Sequence, residues 1–436
     1  MRSLPLAAAL LSTVALASPA LASPALASPA QADPGQARLL VADPAASTVH
    51  VLDARTGRIT GSLPGRKLND HAGTVVLADG RVLFVDDAAK QLVVVNVAGA
   101  EPRVVGTAPV EGEVSHFAVD AAARFAVVAG SEGHEHESGH AEHAGHATLT
   151  AVDLRTFKSG HGVVHSGEPG VLVDGGTVLH RNDAPAQLES YRLTDVVKAN
   201  GEHLTGAVKQ AIGEHGHGEA FSPKHRRAIT ATERGVDLTE VTRDGGFGAQ
   251  RVAAWGGPGR GFYLRLHDDA DTAVTYVRDN ADPDWTKWTE HAYLLDVRSG
   301  KTTRTPLGSG YVFRFGLSDE LAGYVVHGAA RDELALVDVN GRNGGFGELT
   351  RRVDLGVLPG GPQAGKDPFA AQTRKIALDD RGRTAYLTAG GQGRVDVVDT
   401  AAGRVSRSLA VPTTLDRGGA IAIWEPGVAH ADTVGR

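Results

Sequence analysis

The stretch RKIALDDRGRTAYLTAG, residues 374–390, leads after four residues into VDVVDTAAGRV, residues 395–405. Val, Ile, Leu and aromatic residues alternate in short runs, and Gly and Asp mark the breaks. Each run reads as a strand and each break as a turn. The second half recurs along the chain. Copies are TVHVLDARTGRI (48–59), LVVVNVAGAEPRVV (92–105), LTAVDLRTFKSG (149–160), a weaker LESYRLTD (188–195), VDLTEVTRDGG (236–246), AYLLDVRSGKT (292–302) and LALVDVNGRNG (334–344). The first half recurs between them, for example as GTVVLADGRVLFVDD (73–87) and HFAVDAAARFAVVAG (116–130). Four short strands every ~40–50 residues is the period of a β-propeller blade.

An all-β propeller of eight blades is therefore expected. Seven stays open, because blade 4, around residues 171–212, is weakly patterned. A long β-sandwich or a pair of β domains is the competing architecture. The chain ends support a ring. GGAIAIWEPG (418–427) is a lone inner-type strand, and ARLLVADP (37–44) opens a set of outer strands without an inner one. The two ends can share one blade and close the circle.

The 436 residues are 42% hydrophobic, enough for one large β core, and the formal charge is -7. That balance offers no basic stripe for nucleic acid. Residues 1–32 read as an export signal: Arg2, an apolar run LPLAAALLSTVALA, then small-residue repeats ending in Ala30–Ala32. Cleavage is expected after Ala32, with Ala20–Ala22 as the alternative site. Residues 33–436 are expected to form one propeller domain that acts as a monomer. No later apolar run reaches about 18 residues, so no membrane insertion is expected. There is no cysteine, and the one methionine is Met1. A metal site must then use His, Asp, Glu or backbone oxygen.

Nineteen histidines are present, and their placement is uneven. Naming strands a to d from the axis outward, the d→a and b–c connections share one face, here the top. His116 immediately precedes strand a of blade 3, read as FAVDA, and His71 holds nearly the equivalent place in blade 2. His215 and His217 precede strand a of blade 5. The segment 131–147 contains GHEHESGHAEHAGHA and forms the b–c loop of blade 3; it carries His134, His136, His140, His143 and His146. Glu132, Glu135, Glu137 and Glu142 there favour a cation. His-rich tracts read as metal-binding. His180 and His327 end b strands and are expected at the same rim. Arg265, Arg314 and Arg374 open strand a of blades 6, 7 and 8, so a metal should sit off-axis, toward blades 2, 3 and 5. Neutral imidazole suits Zn²⁺, and three or four ligands at roughly 2.0–2.2 Å suffice. The rigid histidines should bind more tightly than the loop, which loses entropy on chelation.

The His/Glu-rich insertion, with NDHAG, VSHFAVD and GHGEAFSP near strand starts, resembles the AztD-type zinc metallochaperones. The resemblance spans essentially the whole mature chain. It implies an exported propeller that binds Zn²⁺ and passes it to the solute-binding protein of a zinc ABC importer, with no chemistry on the metal. Only His71, His116 and His217 lie in matching local motifs. The competing class is a propeller enzyme, lactonase-like or quinone-dependent. The sequence offers that class no G-x-S-x-G elbow and no paired carboxylates that stand out, but DNADPDWTKW (279–288) could form a pocket lip. A plain interaction scaffold is the third reading.

Overall fold

The computed structural model describes residues 36–131, 145–166 and 169–428. The expected signal at 1–32, and His134, His136, His140, His143 and His430, lie outside them. Eight four-stranded antiparallel sheets form the blades of a β-propeller. The count of eight holds because blade 4 is complete. Its weak pattern has a cause: a short helix, Leu193–Lys198, is inserted between its strands Ala186–Arg192 and Val208–Ala211.

Blade 1 is built from both chain ends. The inner strand Ala420–Trp424 pairs with Arg38–Asp43, and the outer strands Thr48–Asp53 and Ile59–Pro64 complete the sheet. Closure carries the core round without a break. In blade 2, strand Arg81–Asp86 sends Val82 and Phe84 into the cluster shared with blade 1, and Leu83 and Val85 into the one shared with blade 3. The two-residue period of a strand thus feeds two interfaces at once. Corresponding clusters join the remaining neighbours, ending with blade 8 against blade 1 through Tyr386, Val395, Leu39 and Ile423. This is why runs such as VLFV and LVVV are apolar at every position: both faces of each sheet are buried.

The recurrent Asp of the repeat also has a structural reason. Asp53, Asp153, Asp296, Asp338 and Asp399 end the third strands of their blades. Each carboxylate accepts a backbone N–H of the following turn, at 2.5–2.8 Å. Among the described residues, no helix is long and apolar enough to cross a membrane.

Candidate metal centre at the channel mouth

Three of the expected histidines are brought together at the top of the channel. The His71 and His116 rings lie 5.2 Å apart, centroid to centroid, and His71 and His217 lie 6.3 Å apart. They come from blades 2, 3 and 5. His116 sits inside its strand, Glu113–Val119, at a register shift between Val114 and His116, rather than just before it. It is buried, while His71 and His217 are half-buried. A tetrahedral zinc ion with Zn–N bonds of about 2.0–2.1 Å holds its ligand nitrogens about 3.4 Å apart and its ring centroids about 5 Å apart. The His71–His116 spacing matches that geometry. His217 stands about 1 Å further out and has to move inward to complete it.

Each histidine is fixed by its own local device. His71 sits in a turn organised by Asn69. That amide donates to Asp87 Oδ1 at 2.7 Å and to the carbonyl of Val114 at 2.9 Å, and its oxygen accepts the Ala72 N–H at 2.7 Å. The bond to Val114 ties the His71 turn of blade 2 to the strand that carries His116. His217 N–H donates to the Ala231 carbonyl at 2.9 Å, and the Gly218 carbonyl accepts from Ala231 at 3.0 Å, so the chain runs on into the inner strand Glu219–Ser222. Gly218 has φ 107, and a Cβ there would lie 2.7 Å from the Leu264 nitrogen. Only glycine fits that bend.

Behind His116 stands Glu219, wholly buried, with Oε1 3.2 Å from His116 Nδ1. Its other oxygen, Oε2, accepts from Arg181 Nε at 3.2 Å, and Arg181 also pairs with Asp183. A carboxylate on one ring nitrogen orients the imidazole and leaves the other nitrogen for a metal. Sequence reading missed Glu219, because in GEAFSP it looks like the polar end of an apolar strand.

The cationic sector does not stay apart, as the sequence suggested. Arg314 Nη2 donates to the Asp70 carbonyl at 2.5 Å, reaching the turn that holds His71. Lys375 Nζ pairs with Asp70 Oδ2 at 3.0 Å and lies 3.8 Å from the Phe313 ring centre. The side chains are long enough to cross the narrow channel, and their charge is turned onto Asp70, carbonyls and aromatic faces. Tyr263 touches both His217, at 5.2 Å, and Arg314, at 4.5 Å.

The other expected positions fall elsewhere. His215 is exposed with φ 49, and the ring contacts to His71 run through His217. His146 lies in strand Gly145–Asp153 and not in the loop, because the strand starts earlier than expected. His180 lies inside its strand, Thr177–Asp183, and His327 ends its strand, Leu321–His327, as expected, but neither is exposed at the rim. Both are wholly buried within their sheets, with Nδ1 3.4 Å from Glu189 Oε2 and 3.0 Å from Asp332 Oδ1 respectively. The 279–288 insertion is packed down: Trp285 is buried and donates to the Gln363 carbonyl at 3.0 Å.

On the opposite face, His267, Asp268 and Asp319 bring donor atoms within 4.8 Å of one another. Both His267 nitrogens are already engaged: Nδ1 accepts the Asp269 N–H at 3.2 Å, and Nε2 lies 3.0 Å from the Asp319 carbonyl. Burial there would lower the imidazole pKa, but the Asp269 side-chain carboxylate, 3.2 Å from Nδ1, and the charge of Asp268 outweigh it and raise it. This group reads as a lock on two turns.

No family model matches the chain, and no curated protein matches it by sequence. Solved structures do match it. Apo AztD from Citrobacter koseri superposes with a TM-score of 0.65 at 12% identity, covering 93% of this chain and 99% of that one. The fold is that of AztD. A second structure of Citrobacter koseri AztD gives 0.64 at 13%, covering 89% and 98%. Dihydro-heme d1 dehydrogenase NirN, in complex with DHE, gives 0.59 at 15%, covering 91% and 76%. Identities this low establish the propeller and leave function to the site.

Proposed function

We propose that the chain is an extracytoplasmic zinc carrier that holds Zn²⁺ at His71, His116 and His217 and passes it to the solute-binding protein of a zinc ABC importer. One observation supports this most: three imidazoles from three blades meet at one end of the channel, and a buried carboxylate stands behind the most buried of them. Three neutral imidazoles form a cationic complex with Zn²⁺, which Glu219 partly offsets. The fourth coordination position stays open to water or to an incoming ligand. That is what a carrier needs: a partner's histidine or carboxylate can enter before the first ligands leave.

The resemblance in NDHAG, VSHFAVD and GHGEAFSP points to the same activity. It gives zinc as cargo and an importer's binding protein as recipient. The His-rich segment is rooted between Ser131 and Gly145, at the same end of blade 3. As a proposal, its histidines collect Zn²⁺ for the channel mouth. An export signal at residues 1–32, as the sequence is read, would fit work outside the cytoplasm.

The test is titration of Zn²⁺ into the mature chain and into the His71→Ala, His116→Ala and His217→Ala triple variant. The tight class of sites should vanish in the variant. Transfer from the loaded protein to a zinc-type solute-binding protein should outpace release to a chelator. An unchanged isotherm, or transfer no faster than release, rejects the reading.

A further inference from the structure

We infer that blade 3 carries a second divalent-cation site on its outer edge, formed by His146, His165 and His203. The three rings are mutual neighbours, with centroids 5.9 Å apart for His146–His165, 5.0 Å for His146–His203 and 6.0 Å for His165–His203. A tetrahedral zinc ion needs about 5 Å, so closure takes ring rotations of an ångström or less. Two of the three, His165 and His203, belong to no histidine-rich run and are far apart in sequence.

The backbone brings them together by two independent pairings. His146 on strand Gly145–Asp153 is directly opposite His165 on strand Ser159–Ser166. Opposed residues of an antiparallel pair share a face, with Cβ atoms about 4.5–5.5 Å apart. His203 comes from blade 4, after its short helix. The chain there lies along the outer strand of blade 3 and forms a parallel bridge, Val163 to His203. Val163 N–H donates to the Glu202 carbonyl at 3.0 Å, and Leu204 N–H donates to the Val163 carbonyl at 2.8 Å. His203 is thus pinned on both sides. Val163 and His165 are two residues apart and share a face, so the bridge delivers His203 to the face that His165 occupies.

Packing does not explain this group. All three rings are exposed, and they border an open pocket of about 470 Å³. Exposed imidazoles bury little surface, and three together repel one another whenever they are protonated. A neutral three-nitrogen set beside solvent suits a borderline cation such as Zn²⁺, with water or a fourth ligand completing the shell. Being open on one side, it should exchange metal faster than the buried channel site.

The location adds a role. His146 and His116 belong to the same blade, at the same end of its sheet. The outer strands lie two to three strand spacings from the inner one, about 10–15 Å at about 4.8 Å per spacing. As a cation site the cluster is independent of the channel reading; as a hand-off station above the channel it rests on it.

The test uses Zn²⁺ as probe on the full mature chain, with His165→Ala/His203→Ala and His116→Ala variants and a deletion of residues 134–143 that keeps His146. The double variant changes only exposed side chains. It should lose one equivalent of the weaker class and keep the tight class. The deletion should keep that equivalent, and His116→Ala should lose only the tight one. If the double variant binds as much zinc as the parent, with the same isotherm, the site is refuted. If His116→Ala leaves the tight class intact while the double variant loses its equivalent, the outer site stands and the channel reading falls.

Discussion

Replacing Glu219 by Gln removes one charge from the channel mouth while preserving shape. The carboxylate is 3.2 Å from His116 Nδ1 and 3.2 Å from Arg181 Nε, and it is wholly buried. Two effects follow. His116 loses the anion that stands 3.2 Å from its Nδ1 and helps to orient the ring. Such outer partners are typically worth 10–100-fold in metal affinity, about 1.4–2.7 kcal/mol. Arg181 loses one of two acidic partners. Stripping a buried cation of its only partner costs about 3–5 kcal/mol, but Asp183 remains in contact, so the stability loss should fall well below that. The assay is competitive titration of Zn²⁺ against a chromophoric chelator, with circular dichroism and thermal melting in parallel. The expected result is an unchanged number of tight sites, an affinity 10–100-fold weaker and an intact fold. Unchanged affinity in a folded variant would refute the role given to Glu219. Loss of the site together with the fold calls for Glu219→Asp, which keeps the charge and should recover at least part of the affinity.

Three further outcomes follow from single contacts. Asn69→Ala removes bonds to Asp87, Val114 and Ala72; it should lower stability by about 1–3 kcal/mol and weaken zinc binding, read by melting and titration. Gly218→Ala meets a positive φ and a backbone nitrogen at 2.7 Å; about 1–3 kcal/mol of destabilisation is expected, with His217 displaced and the tight site weakened. Glu189 contributes to acid stability. Burial pushes its carboxyl upward, but bonds from His180, Tyr191 and Lys209 outweigh this and hold it at about 2, below the ordinary 4.5. A depressed carboxyl stabilises the fold above about pH 4.5, and that stability is lost as pH falls toward 2. Urea denaturation of Glu189→Gln should show a flatter stability profile across that window than the parent.

The blades were legible because each strand feeds two interfaces, so its apolar run survives every local irregularity. The chain ends were legible for the same reason: Ala420–Trp424 is an inner strand without sequence neighbours. His71, His116 and His217 could be placed together because residues at or near the start of inner strands converge on the axis. The outer cluster could not be foreseen. His165 meets His146 through strand register, and His203 arrives through a blade 4 excursion that no repeat predicts. The alternation in SGHGVVHS, with His161 and His165 four apart on one face of an outer strand, was the one available signal. His180 misled because its strand, Thr177–Asp183, runs three residues past it, and His327, which does end its strand, faces a buried carboxylate, Asp332, that the sequence does not reveal. Arg314 misled because position along a strand says nothing of how far a long side chain reaches across a narrow channel.

The most direct measurement is anomalous diffraction at the zinc edge from crystals of the mature chain grown with Zn²⁺. The strongest peak is predicted among His71, His116 and His217, with each ligating nitrogen at about 2.0–2.1 Å. A strongest peak at His267, Asp268 and Asp319, or none at the channel mouth, would contradict the account.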